Sequence, residues 1–155
     1  MNTKKLCISI MFAVIYVALT VVFRPISFLQ IQVRVANLLL ALIPLFGFPS
    51  VIGISLGVGI ANLGSPLGLI DMISVVPTFL GAVVIYKVSQ KSVLVGLILY
   101  NLIIASWLVF MLNFLFSVPI LVTYLHLIVG LSIANIGIGY PTYKVLKRVY
   151  SVEKK

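Results

Sequence analysis

Long runs without Asp, Glu, Lys or Arg dominate this sequence and limit the folds that it can form. Such runs cover Leu6 to Phe23, residues 35–70 and residues 92–143. A helix needs about 20 mainly apolar residues to cross the hydrocarbon core of a bilayer. Only 8% of the 155 residues are charged, whereas a soluble domain is typically about a quarter charged. We therefore predict an integral membrane protein.

Charged residues and turn residues divide the runs into six predicted spans. Gly47, Phe48 and Pro49 interrupt the second run, and Ser117, Val118 and Pro119 interrupt the last one. The prediction is an all-α bundle of six transmembrane helices in one membrane domain, residues 1–155. The spans lie at about 6–23, 35–46, 50–63, 67–86, 92–117 and 120–143, followed by a basic tail at 144–155.

The basic residues predict the orientation of this bundle. With the N-terminus in the cytoplasm, six crossings leave only Arg24 and Arg34 outside. The other basic residues then lie inside: Lys4, Lys5, Lys87, Lys91, Lys144, Lys147, Arg148, Lys154 and Lys155. Lys and Arg favour cytoplasmic loops, so both ends are predicted to be cytoplasmic. These residues border apolar runs and form no basic and aromatic stripe, so a nucleic-acid partner is not expected.

The same topology gathers polar side chains near the outer end of the bundle. Polar groups at membrane depth are costly and usually face a partner, a cavity or a ligand. We therefore predict a polar chamber below the outer surface. Its candidate residues are Gln30, Gln32, Arg34, Asn37, Asn62, Ser65, Asp71, Asn113, Tyr124 and His126.

Within this group we predict substrate contacts from Arg34, Asn37, Asn62 and Asp71, with Trp107 stacking on a flat heterocycle. Asn113 and His126 are second-tier candidates. Each residue also has a simpler interpretation. Arg34 could reach lipid phosphates or pair with Asp71, Asn62 could cap its helix or bond a neighbouring helix, and His126 could bond a neighbouring helix. For Trp107, Asn101 and Asn135, which lie deeper, packing or hydrogen bonds between helices are the simpler interpretation.

Small residues form two faces on the predicted spans. Gly53 and Gly57 have GxxxG spacing in the third span, and Ser9 and Ala13 have the same spacing in the first. Such faces let helices approach closely, either within one bundle or against another membrane protein. The sequence leaves both alternatives open.

No motif in the chain indicates an enzyme. HExxH, CxxC, GxSxG and P-loop patterns are absent from the sequence, and Glu153 lies far from Asp71. We predict no catalytic residue, no metal site and no cofactor. Active transport would therefore draw on an ion gradient or on a partner that hydrolyses ATP.

Several short motifs, in order along most of the chain, resemble the QueT family. They are Gln32-Val33-Arg34-Val35-Ala36-Asn37-Leu38-Leu39, Gly53-Ile54-Ser55-Leu56-Gly57-Val58-Gly59-Ile60-Ala61-Asn62-Leu63, Leu69-Ile70-Asp71 and Gly139-Tyr140-Pro141. These proteins are substrate-binding (S) components of energy-coupling factor (ECF) transporters, associated with uptake of queuosine precursors.

The resemblance implies a mechanism in the plasma membrane. A deazaguanine-type base would bind in the outward chamber, closed by outer loops at about 24–34 and 64–70. The loaded subunit would then reorient against a transmembrane coupling subunit driven by two cytoplasmic ATPases. In the family a small-residue face on span one contacts the coupling subunit, and its nearest equivalent here is Ser9 with Ala13, extended by Ala18.

One position departs from the family pattern. Where an Arg-x-Ser-Glu pattern is usual, this chain has Arg34-Val35-Ala36-Asn37. An amide donates and accepts hydrogen bonds but cannot neutralise an aminomethyl cation. A neutral cyano-deazaguanine, or a related purine-like base, is compatible with Asn37.

Three other functions remain open at the level of sequence. The chain could be an S component for another small vitamin-like or purine-like substrate. It could be a membrane assembly protein whose small-residue faces bind a partner, or a solitary carrier that works without ATPases.

Overall fold

The computed structural model describes residues 2–24, 34–65 and 67–152, and these residues are almost entirely helical. A helix lies in each of the six predicted intervals. The helices are α1 (Thr3–Val22), α2 (Val35–Phe46), α3 (Phe48–Asn62), α4 (68–88), α5 (Val93–Phe116) and α6 (120–152). No strand occurs within the described ranges.

Four of these helices contain apolar segments long enough to cross a membrane. The segments are Thr3–Val22, Ile70–Val88, Val93–Phe116 and Ile120–Val149. The other two, α2 and α3, are shorter. An α-helix rises about 1.5 Å per residue and a 3₁₀-helix about 2.0 Å, so each short helix extends about 22 Å across a core of about 30 Å.

The short helix α2 lies in the centre of the bundle. It begins as a 3₁₀-helix, Val35–Leu42, and ends as an α-helical turn, Ile43–Phe46. Ala36, Leu40, Ala41 and Ile43 are completely buried. On one side α2 contacts α1, and on another it contacts the π-helical segment Ile133–Gly139 of α6. Because it is covered by other helices, α2 does not need to span the lipid core alone.

The two small-residue faces pack on each other. A Cβ added at Gly53 would collide with the backbone oxygen of Ser9, and one at Gly57 would lie 2.8 Å from Tyr16 Cβ and 3.0 Å from the Ala13 oxygen. Ser9 Oγ also donates a hydrogen bond to the Pro49 oxygen, at 2.8 Å. The GxxxG face of α3 is therefore the packing surface for α1.

Both predicted interruptions carry unusual backbone angles. Gly47 separates α2 from α3 with φ of 72°, in the region that favours glycine. Ser117, between α5 and α6, has φ of 50°. Asn113 Nδ2 donates to the Val118 oxygen at 2.8 Å and closes this second turn.

Candidate functional site

A buried ion pair lies at one end of the bundle, between the start of α2 and the start of α4. Arg34 Nη2 is 3.3 Å from Asp71 Oδ2, and the two side chains are 8% and 0% exposed. Arg34 immediately precedes α2, and Asp71 lies in the 3₁₀ turn Gly68–Ser74 that opens α4. A charge in a membrane bundle is tolerated when it is paired and hydrogen-bonded. The ion pair therefore joins the starts of α2 and α4, and each charge compensates the other.

Asp71 is the centre of a wider hydrogen-bond network. Ser74 Oγ donates to Asp71 Oδ1 at 3.0 Å, and Trp107 Nε1 donates to Ser74 Oγ at 2.9 Å. From the end of α3, Asn62 Nδ2 donates to the backbone oxygen of Asp71 at 2.8 Å. Three helices, α3, α4 and α5, thus meet at this residue.

On its other side the network continues through α1. Tyr16 Oη donates to Asn37 Oδ1 at 2.9 Å, and the Arg34 guanidinium lies beside the same phenol. Since Asn37 Oδ1 accepts from Tyr16, the amide nitrogen of Asn37 is the group that remains to donate. The network runs from Asn37 through Tyr16, Arg34, Asp71 and Ser74 to Trp107.

Arg34, Asn37, Asn62, Asp71 and Trp107, all singled out from the sequence, are therefore brought together. Tyr16 and Ser74 were missed. Tyr16 lies in an apolar run with Phe12 one turn before it, which is typical of a core aromatic residue. Ser74 was detectable, because it follows Asp71 by three residues and therefore lies on the same helical face.

The second-tier candidates lie elsewhere. Asn113 is partly buried and bonds the turn after α5, and His126 is exposed on α6. Ser65 Oγ accepts a hydrogen bond from the Leu67 amide, within the connection before α4. Gln30 and Gln32 lie outside the described residues, as does most of the predicted loop at 24–34.

The three partner-contact residues predicted on span one differ in their exposure. Ser9 and Ala13 are buried against α3, while Ala18 is exposed. In this structure the small face formed by Ser9 and Ala13 serves intramolecular packing, because the glycines of α3 leave room for it. Among the three predicted residues, Ala18 is the one at the surface.

A second polar cluster lies deeper, between α5 and α6. Asn135 donates from Nδ2 to Asn101 Oδ1, and Asn101 Nδ2 donates to Ser132 Oγ at 3.3 Å. Both asparagines are buried. This arrangement has the interhelical hydrogen bonds expected for polar residues inside a membrane bundle.

An apolar cleft of about 280 Å³ adjoins the network at Trp107. Its walls come from α4 and α5, and Phe110 and Phe114 at its edge are exposed. The indole ring lines the cleft while its Nε1 bonds Ser74. The residues that line the cleft are Ile70, Ile73, Trp107, Phe110, Met111 and Phe114.

The groups brought together here are suited to hydrogen bonds and ring contact. A carboxylate held by a guanidinium, two amides, a phenol and an indole can orient a flat polar molecule. Within the described ranges, no group of three or more His, Cys, Asp and Glu side chains could hold a metal ion.

Comparison with protein families connects this geometry to transport. The model of the family described as "QueT transporter" matches residues 6–148. The chain belongs to the QueT transporter family. It is a multi-pass protein of the plasma membrane, as the match and the long apolar helices show. Comparison with curated proteins and with solved structures gave no significant match.

Family membership indicates a general role in transport. A QueT transporter handles a solute at the membrane, and the buried network joins residues from five helices at one end of the bundle. Membership of a transporter family also implies that the chain is not an enzyme.

Proposed function

We propose that this protein is the substrate-binding S component of an ECF-type uptake transporter and captures a queuosine precursor of the deazaguanine type. The observation that carries the proposal is the single buried network of Arg34, Asn37, Asn62, Asp71 and Trp107. Family membership supports a transported substrate, and the network supplies the hydrogen-bonding groups and the aromatic ring that a flat heterocycle requires.

The proposed orientation places this network toward the outside. Arg34, Asn62 and Asp71 lie at the start of α2, the end of α3 and the start of α4, which share one end of the bundle. Lys4, Lys87 and Lys91 mark the opposite end. Positive residues favour the cytoplasmic side, so the site would face outward and both termini would face inward.

The charges in the network favour a neutral base. Asp71 is one of two acidic residues in the chain, and its carboxylate is paired with Arg34. Asn37 carries no charge, and its free capacity is that of a donor. A cyano-deazaguanine offers acceptors to such a donor, whereas an aminomethyl cation would enter a site without spare negative charge.

The proposed partners are a transmembrane coupling subunit and two cytoplasmic ATPases. The sequence has no P-loop, so ATP hydrolysis would reside in the partners. The outer surface of α1, with Ala18 and its exposed neighbour Val14, is the candidate contact surface on this helix. Isolation of the chain with these partners from native membranes would support the proposal, and uptake by the chain alone in liposomes would favour a solitary carrier.

Ligand binding tests the proposal directly. Trp107 is the only tryptophan, so its fluorescence in purified protein reports on the site while 7-cyano-7-deazaguanine or its aminomethyl analogue is added. We expect the cyano base to change the fluorescence and to bind more tightly. Replacement of Asn37 by Ala or of Asp71 by Asn should each weaken binding about ten-fold or more. The first removes a buried hydrogen-bonding group, and the second removes the negative charge that holds the Arg34 guanidinium.

Ser106→Ala is the matched control. Ser106 precedes Trp107 and is exposed, and among the described residues its hydroxyl bonds only its own helix, at the Leu102 oxygen. This variant should bind like the unmodified chain. Unchanged affinity in both the Asn37 and the Asp71 variants would refute the proposed site, and tighter binding of the cationic base would refute the preference for a neutral ligand.

A further inference from the structure

The Asn62 side chain is bonded at one end of its amide and not at the other. Its Nδ2 donates to the Asp71 backbone oxygen at 2.8 Å. The residue is 1% exposed, and Oδ1 has no hydrogen-bond partner among the residues that the structure describes. Buried polar atoms nearly always have a partner, so an exception of this kind calls for an explanation.

The chemistry of the neighbouring group fixes which amide atom is left over. A backbone carbonyl can only accept hydrogen bonds. The atom of Asn62 that faces the Asp71 carbonyl must therefore be the nitrogen, and the unbonded atom is the oxygen. The bundle thus holds an oriented, buried acceptor beside the residue on which the whole network converges.

We propose that Asn62 Oδ1 accepts a hydrogen bond from a ring N–H of the bound substrate. The inference rests on the proposed function and specifies its substrate class, a flat heterocycle with an unsubstituted lactam N–H. The Asp71 carboxylate is less suited to this task, because Arg34 and Ser74 occupy its two oxygens. In this arrangement Asp71 positions Asn62, and Asn62 contacts the ligand.

The remaining capacity of Asn37 complements that of Asn62. Tyr16 occupies the oxygen of the Asn37 amide and leaves its nitrogen as donor, while Asp71 occupies the nitrogen of the Asn62 amide and leaves its oxygen as acceptor. A lactam carries one N–H and one carbonyl, which are the two kinds of group that these amides can bind. A site with a committed buried acceptor discriminates strongly against a ligand that lacks the donor.

The test compares 7-cyano-7-deazaguanine with its N1-methyl derivative, by calorimetry on the purified full chain. The unmodified chain should bind the methylated base at least about ten-fold more weakly. In Asn62→Leu the parent base should lose at least about ten-fold in affinity, and the ratio between the two bases should fall to about one. This loss of discrimination separates a missing hydrogen bond from simple crowding by the methyl group.

Asn113→Leu is the matched control, since Asn113 Nδ2 also donates to a backbone oxygen at 2.8 Å but outside the network. It should retain the full ratio between the two bases. If Asn62→Leu does not fold, Asn62→Ser retains a hydroxyl donor for the Asp71 carbonyl and removes the amide oxygen. It should likewise lose discrimination.

The outcomes for this inference and for the proposed function are distinct. If the unmodified chain binds neither base, the proposed function fails. If it binds both bases equally well, the function stands and the role of Asn62 is refuted. Full discrimination in a folded Asn62→Leu or Asn62→Ser variant would also refute it, as would a structure of the complex in which only water donates to Asn62 Oδ1.

Discussion

The Arg34 and Asp71 side chains each supply the charge that allows the other to be buried. Asp71 is completely buried and Arg34 nearly so. Asp71 accepts from Ser74 through its second oxygen, so each carboxylate oxygen has its own donor. The pair also fixes the main chain of Asp71, to which Asn62 is bonded. Local charge balance and the orientation of the Asn62 amide therefore depend on the same two residues.

We expect the single variants Arg34→Met and Asp71→Leu to be strongly destabilised. Removal of one partner from a buried ion pair leaves an uncompensated charge and typically costs about 3–5 kcal/mol. The double variant should recover most of that stability, because two apolar side chains of similar size need no pairing. Thermal unfolding in detergent measures all three proteins.

The double variant should nonetheless bind no base, because the position of Asn62 depends on Asp71. This outcome would separate the role of the pair in folding from its role in binding. Single variants as stable as the unmodified chain would show that the two charges are not buried together in the native protein.

At the scale of whole helices, the close contact between α1 and α3 positions Tyr16 next to Asn37. The glycines at positions 53 and 57 lie directly against the backbone and Cβ atoms of α1. Tyr16 lies on the same face of α1, next to Gly57, and is buried. The separation of α1 and α3 thus determines whether the phenol reaches Asn37.

We expect Gly53→Ala to push α1 away from α3. The new Cβ would collide with the Ser9 backbone oxygen and lie 2.8 Å from Phe12 Cβ, and neither atom belongs to the end of a flexible side chain. Overpacking of this kind costs about 1–3 kcal/mol. The variant should unfold at lower temperature and bind the base more weakly.

Gly59→Ala on the same helix is the control, because within the described part of the chain its Cβ would meet only Val75 Cγ2, at 3.4 Å. It should remain close to the unmodified chain in both stability and affinity. Equal effects of the two substitutions would indicate a general sensitivity of α3 to larger residues, and not a specific contact with α1.

The helices could be predicted from the sequence more completely than the contacts between them. Charge-free runs and the turn residues around Gly47 and Ser117 indicate where helices begin and end, since both are local properties. The small faces of α1 and α3 were visible as well, but a four-residue spacing does not identify the surface on which it packs. From the sequence, Ser9 and Ala13 could therefore have contacted another membrane protein. The structure places them against Gly53 and Gly57.

Five residues of the polar network were predictable from the sequence, but the bonds that connect them were not. Topology alone brings the helix ends with Arg34, Asn62 and Asp71 to one level. The side-chain partners depend on helix rotation, which hydropathy does not specify. Tyr16 became visible only through its bond to Asn37, whereas the three-residue spacing from Asp71 could have indicated Ser74. The 3₁₀ character of Val35–Leu42, which determines where Asn37 points, has no counterpart in the sequence pattern.

Over the whole molecule, the buried polar network and the clustered lysines occupy opposite ends. The apolar segment Ile120–Val149 of α6 would extend about 45 Å, beyond a hydrocarbon core of about 30 Å. Its last turns carry Lys144 and Lys147, whose Nζ atoms lie 4.7 and 5.8 Å from the centres of the Tyr140 and Tyr143 rings. Tyrosines and lysines in such positions are typical of a membrane interface.

This asymmetry predicts the side on which each end of the bundle lies, and impermeant thiol labelling of intact cells tests it. Cys7 is the only cysteine, so Cys7→Ser provides a background without thiols. Into it we would introduce Gln90→Cys, next to Lys91 in the connection between α4 and α5, or Ser117→Cys, in the turn between α5 and α6. Both native side chains are exposed.

The cysteine at position 117 should react with an impermeant maleimide from outside, and the one at position 90 only after the cells are opened, because the lysine-rich end is retained in the cytoplasm. Labelling at position 90 in intact cells, with position 117 protected, would show that the bundle has the opposite orientation. The proposed binding network would then face the cytoplasm, which is incompatible with capture of a base from outside.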